Sequence, residues 1–360
     1  MFFKKKIKEK EEEKKEETTK YRKGEGLWTG LGVTFDAKFY WCFHCFGEVL
    51  DAIEWCIENN VKYKVVGNCT NIIPMSDFFD GMIIEYTSPS IHSNCRCYNM
   101  VPELNIWNVD SSVGLRDISR FLETEKYINY AWMITIPGTV GGAIYSNAGC
   151  YGFNIGDFVE TVNAWEQQGK LLVRNTYSKE DMKFGYRSSL AKEKNLIIES
   201  VSFCFDLPRK ADEILNETYL KVKYSREKEL KHSGCGVGCV FKNITSLSDE
   251  QIAAFASFLE LSVSEIQEML NKPYGISAGL ILEKLGLKGY WLHMNESPQY
   301  WECYNICFNK NHANSLDCSI GNHKIDNTKA IKDIWKLINW AKEKCFEKLG
   351  YRLELEVTAL

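Results

Sequence analysis

Two short stretches hold residues whose types and spacing suit one task, gripping an anion through the main chain. Ile134–Gly152, ITIPGTVGGAIYSNAGCYG, places Gly138, Gly141, Gly142, Gly149 and Gly152 in otherwise small, mostly apolar company. Fixing a glycine costs conformational entropy, so such a cluster implies that something comes close to the backbone. Upstream, VVGNCTNII (Val65–Ile73) breaks from a strand into a turn that offers backbone N–H groups and the side chains of Asn68, Thr70 and Asn71, a nest of donors. Neither stretch contains Lys or Arg, and neither carries G-x-G-x-x-G or G-K-[ST], so a Rossmann fingerprint and a P-loop are both excluded. Two donor-rich loops without a cation suit a diphosphate held through the main chain. Its expected contacts are Gly67, Asn68, Cys69, Thr70 and Asn71 from the first loop, and Ile136, Pro137, Gly138, Thr139, Val140, Gly141, Gly142 and Ala143 from the second.

The cysteines are the next candidates for chemistry. Cys42 and Cys45 are spaced C-x2-C, and Cys235 with Cys239 and Cys303 with Cys307 each enclose three residues. The setting of the first pair, FYWCFHCFGEVL, is aromatic and reads as a buried strand or helix start, where a thiol is a small hydrophobe rather than a zinc ligand. No metal site is expected. Fourteen cysteines without a signal-like apolar stretch are the pattern of free thiols in a reducing cytoplasm.

Composition narrows the class further. With 45% hydrophobic and 26% charged residues over 360 positions, the chain can bury a core in two or three domains. Its 44 basic against 48 acidic residues give a net charge of -4, so no general attraction to nucleic acid is expected. Residues 1–24 are dense in charge and lack a membrane-length apolar run, which reads as a solvated tail or frayed helix, with no membrane insertion.

Several elements must position these loops. Val49–Asn60 has apolar residues at helical spacing, Tyr63–Val66 reads as a strand, and Met82–Ile84 belongs to another. LRDISRFLETEK reads as a helix ahead of the glycine loop, and VETVNAWEQQGKLLVRN as a hairpin turning at Gln168 and Gly169. Residues 211–232 read as a long charged helix. Ser248 with Gln251 and Ser262 with Glu265 have capping-box spacing and predict two short helices. A last helix presents Ile331, Ile334, Trp335, Ile338, Ala341, Cys345 and Leu349 on one face and stops at Gly350; RLELEV then alternates as a strand, with Glu354 and Glu356 on one side.

IPGTVGGAIYSNAGCYG, followed in order by FGYRSS (Phe184–Ser189), GCVFKN (Gly238–Asn243), SAGLILEKLGLKG (Ser277–Gly289) and LELEV (Leu353–Val357), resembles the UDP-N-acetylenolpyruvoylglucosamine reductases, also called UDP-N-acetylmuramate dehydrogenases, from about Thr34 onward. The resemblance implies an α+β chain. A vanillyl-alcohol-oxidase-type FAD-binding domain over 25–206, in two α/β subdomains (about 25–100 and 101–206), would precede a C-terminal α+β substrate-binding domain over 207–360. It also implies FAD and NADPH as cofactors, a UDP-sugar as substrate, and delivery of hydride to an enolpyruvyl ether during peptidoglycan precursor synthesis.

That chemistry leaves negative charge on the carbon beside a carboxylate, and it needs a cation and a proton donor. Arg187, with a planar fork and a permanent charge, suits the first role. Cys239 stands where the family has a serine as proton donor; an unperturbed thiol, with pKa of about 8.5, still holds its proton at neutral pH. Glu356 matches the acidic residue that assists the intermediate. Tyr186, Lys242 and Asn243 fall at substrate-binding positions. The departures are specific: Asn68 and Cys69 stand among the family's glycines, Thr135 replaces the glycine before Ile-Pro-Gly, Ile244 a proline, and Cys303 a common histidine. Two other readings keep the same loops. A flavoprotein oxidase of another alcohol or lactone would have no use for Arg187 and Glu356. A non-catalytic descendant binding a nucleotide sugar or a protein would tolerate the changes at Asn68 and Cys69.

Overall fold

The structure is a computed structural model and describes residues 22–88, 98–101, 106–124, 128–150, 152–205, 236–289, 304–308, 313–320 and 326–360. The charged helix expected over 211–232, together with Cys235 and Cys303, lies outside them.

The first sheet has the order β1-β2-β5-β3, built from β1 (Arg22–Trp28), β2 (Thr34–Phe43), β3 (Tyr63–Val66) and β5 (Phe78–Tyr86), with the short β4 (Ile72–Ile73) between the last two in sequence. Helix α1 (Phe46–Glu58) buries Val49, Ala52, Ile53 and Cys56, its i, i+3, i+4, i+7 stripe, against Phe43, Met82 and Ile84 of this sheet. FYWCFHCFGEVL spans the end of β2 and the start of α1, with Cys45 as N-cap. The crossovers through α1 and the 67–77 segment make β2, β5 and β3 parallel, which aims the turn after β3 at the carboxyl end of the sheet. β1 pairs with β2 antiparallel and starts at Arg22, inside the segment expected to be tail. Its Gly24 sits where a Cβ would meet Tyr40 and Ala37, so close approach to β2 rather than alternation defines the strand.

The second sheet is antiparallel throughout, ordered β11-β10-β12-β7-β6, with β6 (Tyr98–Val101), β7 (Ile106–Asp110), β10 (Val159–Gln168), β11 (Leu171–Ser178) and β12 (Ile197–Cys204). The β10–β11 hairpin pairs Gln168 with Leu171, so its two turn residues are Gly169 and Lys170, with Gly169 at φ 62°. Helices α2 (Leu115–Thr124) and α3 (Val140–Ser146), the pair β8 (Gly149–Cys150) and β9 (Phe153–Asn154), and α4 (Leu190–Lys194) complete this half. Its core gathers Leu115, Val140, Ile144, Val162, Val201 and Phe203.

The third part is mainly helical: α5 (Asp249–Leu259), α6 (Val263–Leu270), α7 (Ala278–Lys284) and α8 (Asn327–Leu349), with the hairpin β13 (Tyr304–Phe308) and β14 (Leu316–Ile320). Both capping boxes form as spaced, at Ser248 with Gln251 and at Ser262 with Glu265. α8 buries Ile331, Ile334, Ile338, Ala341, Cys345 and Leu349 and ends at Gly350 in the left-handed conformation, φ 63°. This core reaches back to Leu31 and Val33 in the β1–β2 connection and to Ile73 of β4, while the first sheet keeps apolar clusters of its own.

One expectation is corrected. Arg352–Val357 is no regular strand; it runs extended beside Val240–Lys242 with a single bridge, Phe241 to Leu355, and the terminal strand is β15 (Thr358–Ala359), parallel to β4. Its alternation is satisfied residue by residue. Leu353 and Val357 are buried, while Glu354 and Glu356 each meet a cation.

Candidate active site

The two loops read as donor-bearing do meet. Thr70 Oγ1 donates to the carbonyl of Pro137 at 2.8 Å, and Gly67 lies so close to Thr139 that a Cβ there would stand 2.5 Å from Thr139 Oγ1. Thr139 caps α3, its hydroxyl accepting from Gly142 N–H. The second loop spends most of its donors internally: Ile136 N–H on Met133, Val140 N–H on Val113, Gly141 N–H on Ser111 and Ala143 N–H on Thr139. Gly138, at φ 134°, gives its carbonyl to Leu115. Among the described residues, the N–H groups of Asn68, Cys69, Thr70, Gly138 and Thr139 meet no acceptor. Asn71 instead uses its carbonyl to hold the C-terminal Thr358 N–H.

This arrangement fits a diphosphate. Five main-chain donors without an acceptor sit on two touching turns, and the thiol of Cys69 brings no charge, because burial pushes it up to about 12, with Glu85 adding to the effect. Cys69 pays for its place in a glycine position by adopting φ 51°, a conformation that costs an L-residue roughly 1–2 kcal/mol.

The second constellation gathers residues from three distant stretches. Arg187 Nε donates to Glu356 Oε1 at 2.6 Å and its Nη2 to the carbonyl of Gly149 at 2.7 Å. Gly149 must be glycine, since a Cβ would stand 2.2 Å from the Phe153 carbonyl. Both partners of the ion pair are largely buried, with side chains 15% and 14% exposed. Arg187 Nη1 is buried without any partner. Arg187 itself sits at φ 53° at the end of a tight hairpin in which Gly185 and Ser188 exchange both main-chain hydrogen bonds. Its guanidinium packs 5.2 Å from the Tyr186 ring centroid. The Glu356 main-chain N–H binds Val240 O at 2.8 Å, which brings Cys239, the preceding residue, beside the pair.

Burial raises the Glu356 carboxyl above its ordinary value, against the pull of Arg187, Lys192 and Lys242. For Arg187, burial works against the charge, but Glu356 outweighs it and the group stays protonated. Burial likewise raises Tyr186, whose hydroxyl oxygen accepts from Asn243 N–H at 3.1 Å. Asn243 Oδ1 accepts in turn from Ala278 N–H, the first residue of α7. Lys242 reaches Glu354 at 3.2 Å.

The structure thus places Arg187, Cys239, Glu356, Tyr186, Lys242 and Asn243 near one another. Lys192 was not anticipated. It lies half-buried on α4, its Nζ 3.5 Å from the Arg187 carbonyl, and burial followed by Lys242 holds its ammonium below the usual value. The signal was present: Ser189 caps the short helix, which puts a cation on its first turn directly behind Arg187. Among the described residues no group of three His, Cys, Asp or Glu is placed to hold a metal, and no helix is long and apolar enough to cross a membrane.

Residues 38–174 match the FAD binding domain family. Curated relatives extend the likeness over the rest of the chain. A UDP-N-acetylenolpyruvoylglucosamine reductase of Caldicellulosiruptor saccharolyticus is 25% identical over 310 residues, 86% of this chain and 81% of its own length. Another, from Prochlorococcus marinus subsp. pastoris, is 26% identical over 310 residues, 86% of each. Over most of its length the chain is similar to these reductases. A solved structure of the Thermus caldophilus reductase aligns with a TM-score of 0.60 at 20% identity, covering 94% of this chain and 99% of that one, so the two share their fold. The α+β class, with a flavin-binding portion followed by a C-terminal α+β portion, stands as expected.

Proposed function

We propose that this chain is an FAD-dependent, NADPH-driven reductase of UDP-N-acetylglucosamine enolpyruvate, forming UDP-N-acetylmuramate for peptidoglycan precursor synthesis. The observation that carries the reading is the buried, unpartnered Nη1 of Arg187. A guanidinium whose Nε and Nη2 are already fixed by Glu356 and Gly149 presents its remaining face to an anion, and a buried donor left unmade is costly. The carboxylate of an enolpyruvyl ether is such an anion. An oxidase acting on a neutral alcohol would leave that donor unsatisfied.

The flavin diphosphate would lie against the free N–H groups of Asn68, Cys69, Thr70, Gly138 and Thr139. Bound there, FAD would supply hydride chemistry drawn from NADPH, for which the acceptor is the methylene carbon of the enolpyruvyl double bond. The protein supplies the rest. Arg187 holds the substrate carboxylate and stabilises the charge that develops on the adjoining carbon. The Cys239 thiol gives its proton to that carbon, completing the reduced lactyl ether, and regains one from solvent. Glu356 fixes the guanidinium, and its raised pKa lets it share a proton with the intermediate. Tyr186, Lys242 and Asn243 line the approach.

Purified protein reconstituted with FAD should show a flavin spectrum and oxidise NADPH only when the enolpyruvyl nucleotide is present. A flavin-loaded protein with no such dependence refutes the proposal.

A further inference from the structure

The fork of Arg187 is fixed by Glu356 and Gly149, but its main chain needs support of another kind. Arg187 stands at φ 53°, a left-handed conformation that an L-residue keeps only where its surroundings over-determine it. The hairpin from Gly185 to Ser188 supplies two hydrogen bonds toward that. A third comes from outside the hairpin, where Lys192 Nζ donates to the Arg187 carbonyl at 3.5 Å.

Lys192 reaches that carbonyl from a firm base. Its main-chain N–H is shared between the carbonyl and the hydroxyl of Ser189, the cap of α4. Ser189 is 2% exposed, and its hydroxyl donates to the carbonyl of Tyr145 on α3, which pins the start of α4 to the helix that follows the glycine loop. From there the ammonium enters half-buried surroundings already rich in positive charge: Lys242 and Arg187 face it, with Glu356 as the carboxylate it feels. Those two cations each have a carboxylate in bonding distance, Lys242 in Glu354 and Arg187 in Glu356. Among the described residues Lys192 forms no ion pair of its own. Half-burying an ammonium without a counter-ion is unfavourable to folding, so its charge is better explained by what it does to its neighbours. Glu356 is the neighbour concerned. It lies among Arg187, Lys192 and Lys242, with Tyr186 and Cys239 beside the same cluster, and each of the three cations favours its ionised form.

Resting on the proposed function, we propose that Lys192 is a positioning residue of that reaction: fastened to the Arg187 carbonyl, its ammonium holds the left-handed turn that aims the guanidinium, and its charge keeps Glu356 ionised. Arg187 is then set from both ends, its fork by Glu356 and its main chain by Lys192. No contact between Lys192 and substrate is required.

Two variants separate a charge that positions from a side chain that only fills space. Lys192→Met keeps the stem and drops the ammonium, whereas Lys192→Arg keeps a cation. The first measurement needs no turnover: urea unfolding of the full chain from about pH 4 to about pH 8, with and without Glu356→Gln in each background. Burial raises the Glu356 carboxyl, so the stability tied to its proton is complete below the unfolded value and is lost as pH rises through the folded one. With one opposing cation gone, that loss should run on to higher pH in Lys192→Met, and Lys192→Arg should restore the wild-type range. The second measurement is turnover of the enolpyruvyl nucleotide by flavin-loaded protein. Here Lys192→Met should lower kcat about tenfold with KM little changed, and Lys192→Arg should recover most of it. A Glu356 titration range unmoved by Lys192→Met, or wild-type kcat in that variant, overturns the assignment. If wild type itself shows no turnover, the proposed reaction falls, while the unfolding series still decides whether Lys192 sets the charge of Glu356.

Discussion

Gly67→Ala tests whether the two donor turns are packed against each other as tightly as their geometry says. The new methyl would stand 2.5 Å from Thr139 Oγ1, 3.0 Å from its Cγ2 and 3.3 Å from its Cβ. Ordinary contact begins near 3.4 Å, so the turns must part by close to 1 Å. Thr139 cannot easily yield, being 4% exposed and tied by its hydroxyl to the start of α3. Overpacking of this kind costs about 1–3 kcal/mol. Thr139→Ala alone forfeits a helix cap, roughly 1 kcal/mol. In the double variant the offending Oγ1 and Cγ2 are gone, so the loss should fall short of the sum by about 1–2 kcal/mol. Urea unfolding of the four proteins gives this coupling directly. Because Thr70 and Pro137 make their contact beside the same gap, FAD affinity, read from quenching of flavin fluorescence, should drop about tenfold in Gly67→Ala and recover in part in the double variant. Strictly additive losses would mean that the turns are not in contact at Gly67, and the diphosphate cradle would go with them.

Arg187→Lys keeps the charge but loses the fork that serves Glu356, Gly149 and an anion at once, so turnover should fall about 10²-fold or more in steady-state assays while the protein stays folded by circular dichroism. Cys239→Ala removes the proton donor and should cost about 10²–10⁴ in turnover, with Cys239→Ser recovering much of it and resisting alkylation by iodoacetamide. Glu356 has a folded pKa above its unfolded one, so the stability tied to its proton is complete below the unfolded value and is lost as pH rises toward the folded one. In urea unfolding, the stability of wild type relative to Glu356→Gln should therefore decline from about pH 4 upward; a rising difference would mean that pairing with Arg187 outweighs burial. Gly275→Ala should destabilise by over about 1 kcal/mol in urea unfolding, having neither space nor the required backbone angle.

What could be read in the chain and what could not divides along a physical line. Periodic burial is local, so α1, α8, the β10–β11 hairpin and the two capping boxes were visible from spacing alone. Arg187, Glu356 and Cys239 were legible as candidates because five motifs occur in a known order, yet nothing local says that residues 169 positions apart share a 2.6 Å bond. The terminal segment shows the limit from the other side. RLELEV alternates as a strand should, but its partner Val240–Lys242 is too short to make a ladder, and the pairing that does form puts Thr358–Ala359 against β4. That choice has a consequence for the site. Asn71, in the cofactor turn, holds Thr358 N–H, while Glu356, two residues earlier, holds Arg187. The extended C-terminal segment is therefore the strut that ties the Gly67–Asn71 turn to the Arg187 guanidinium. Lys192 escaped notice for the matching reason: what marks it is the fold packing it beside Arg187, not a pattern of its own.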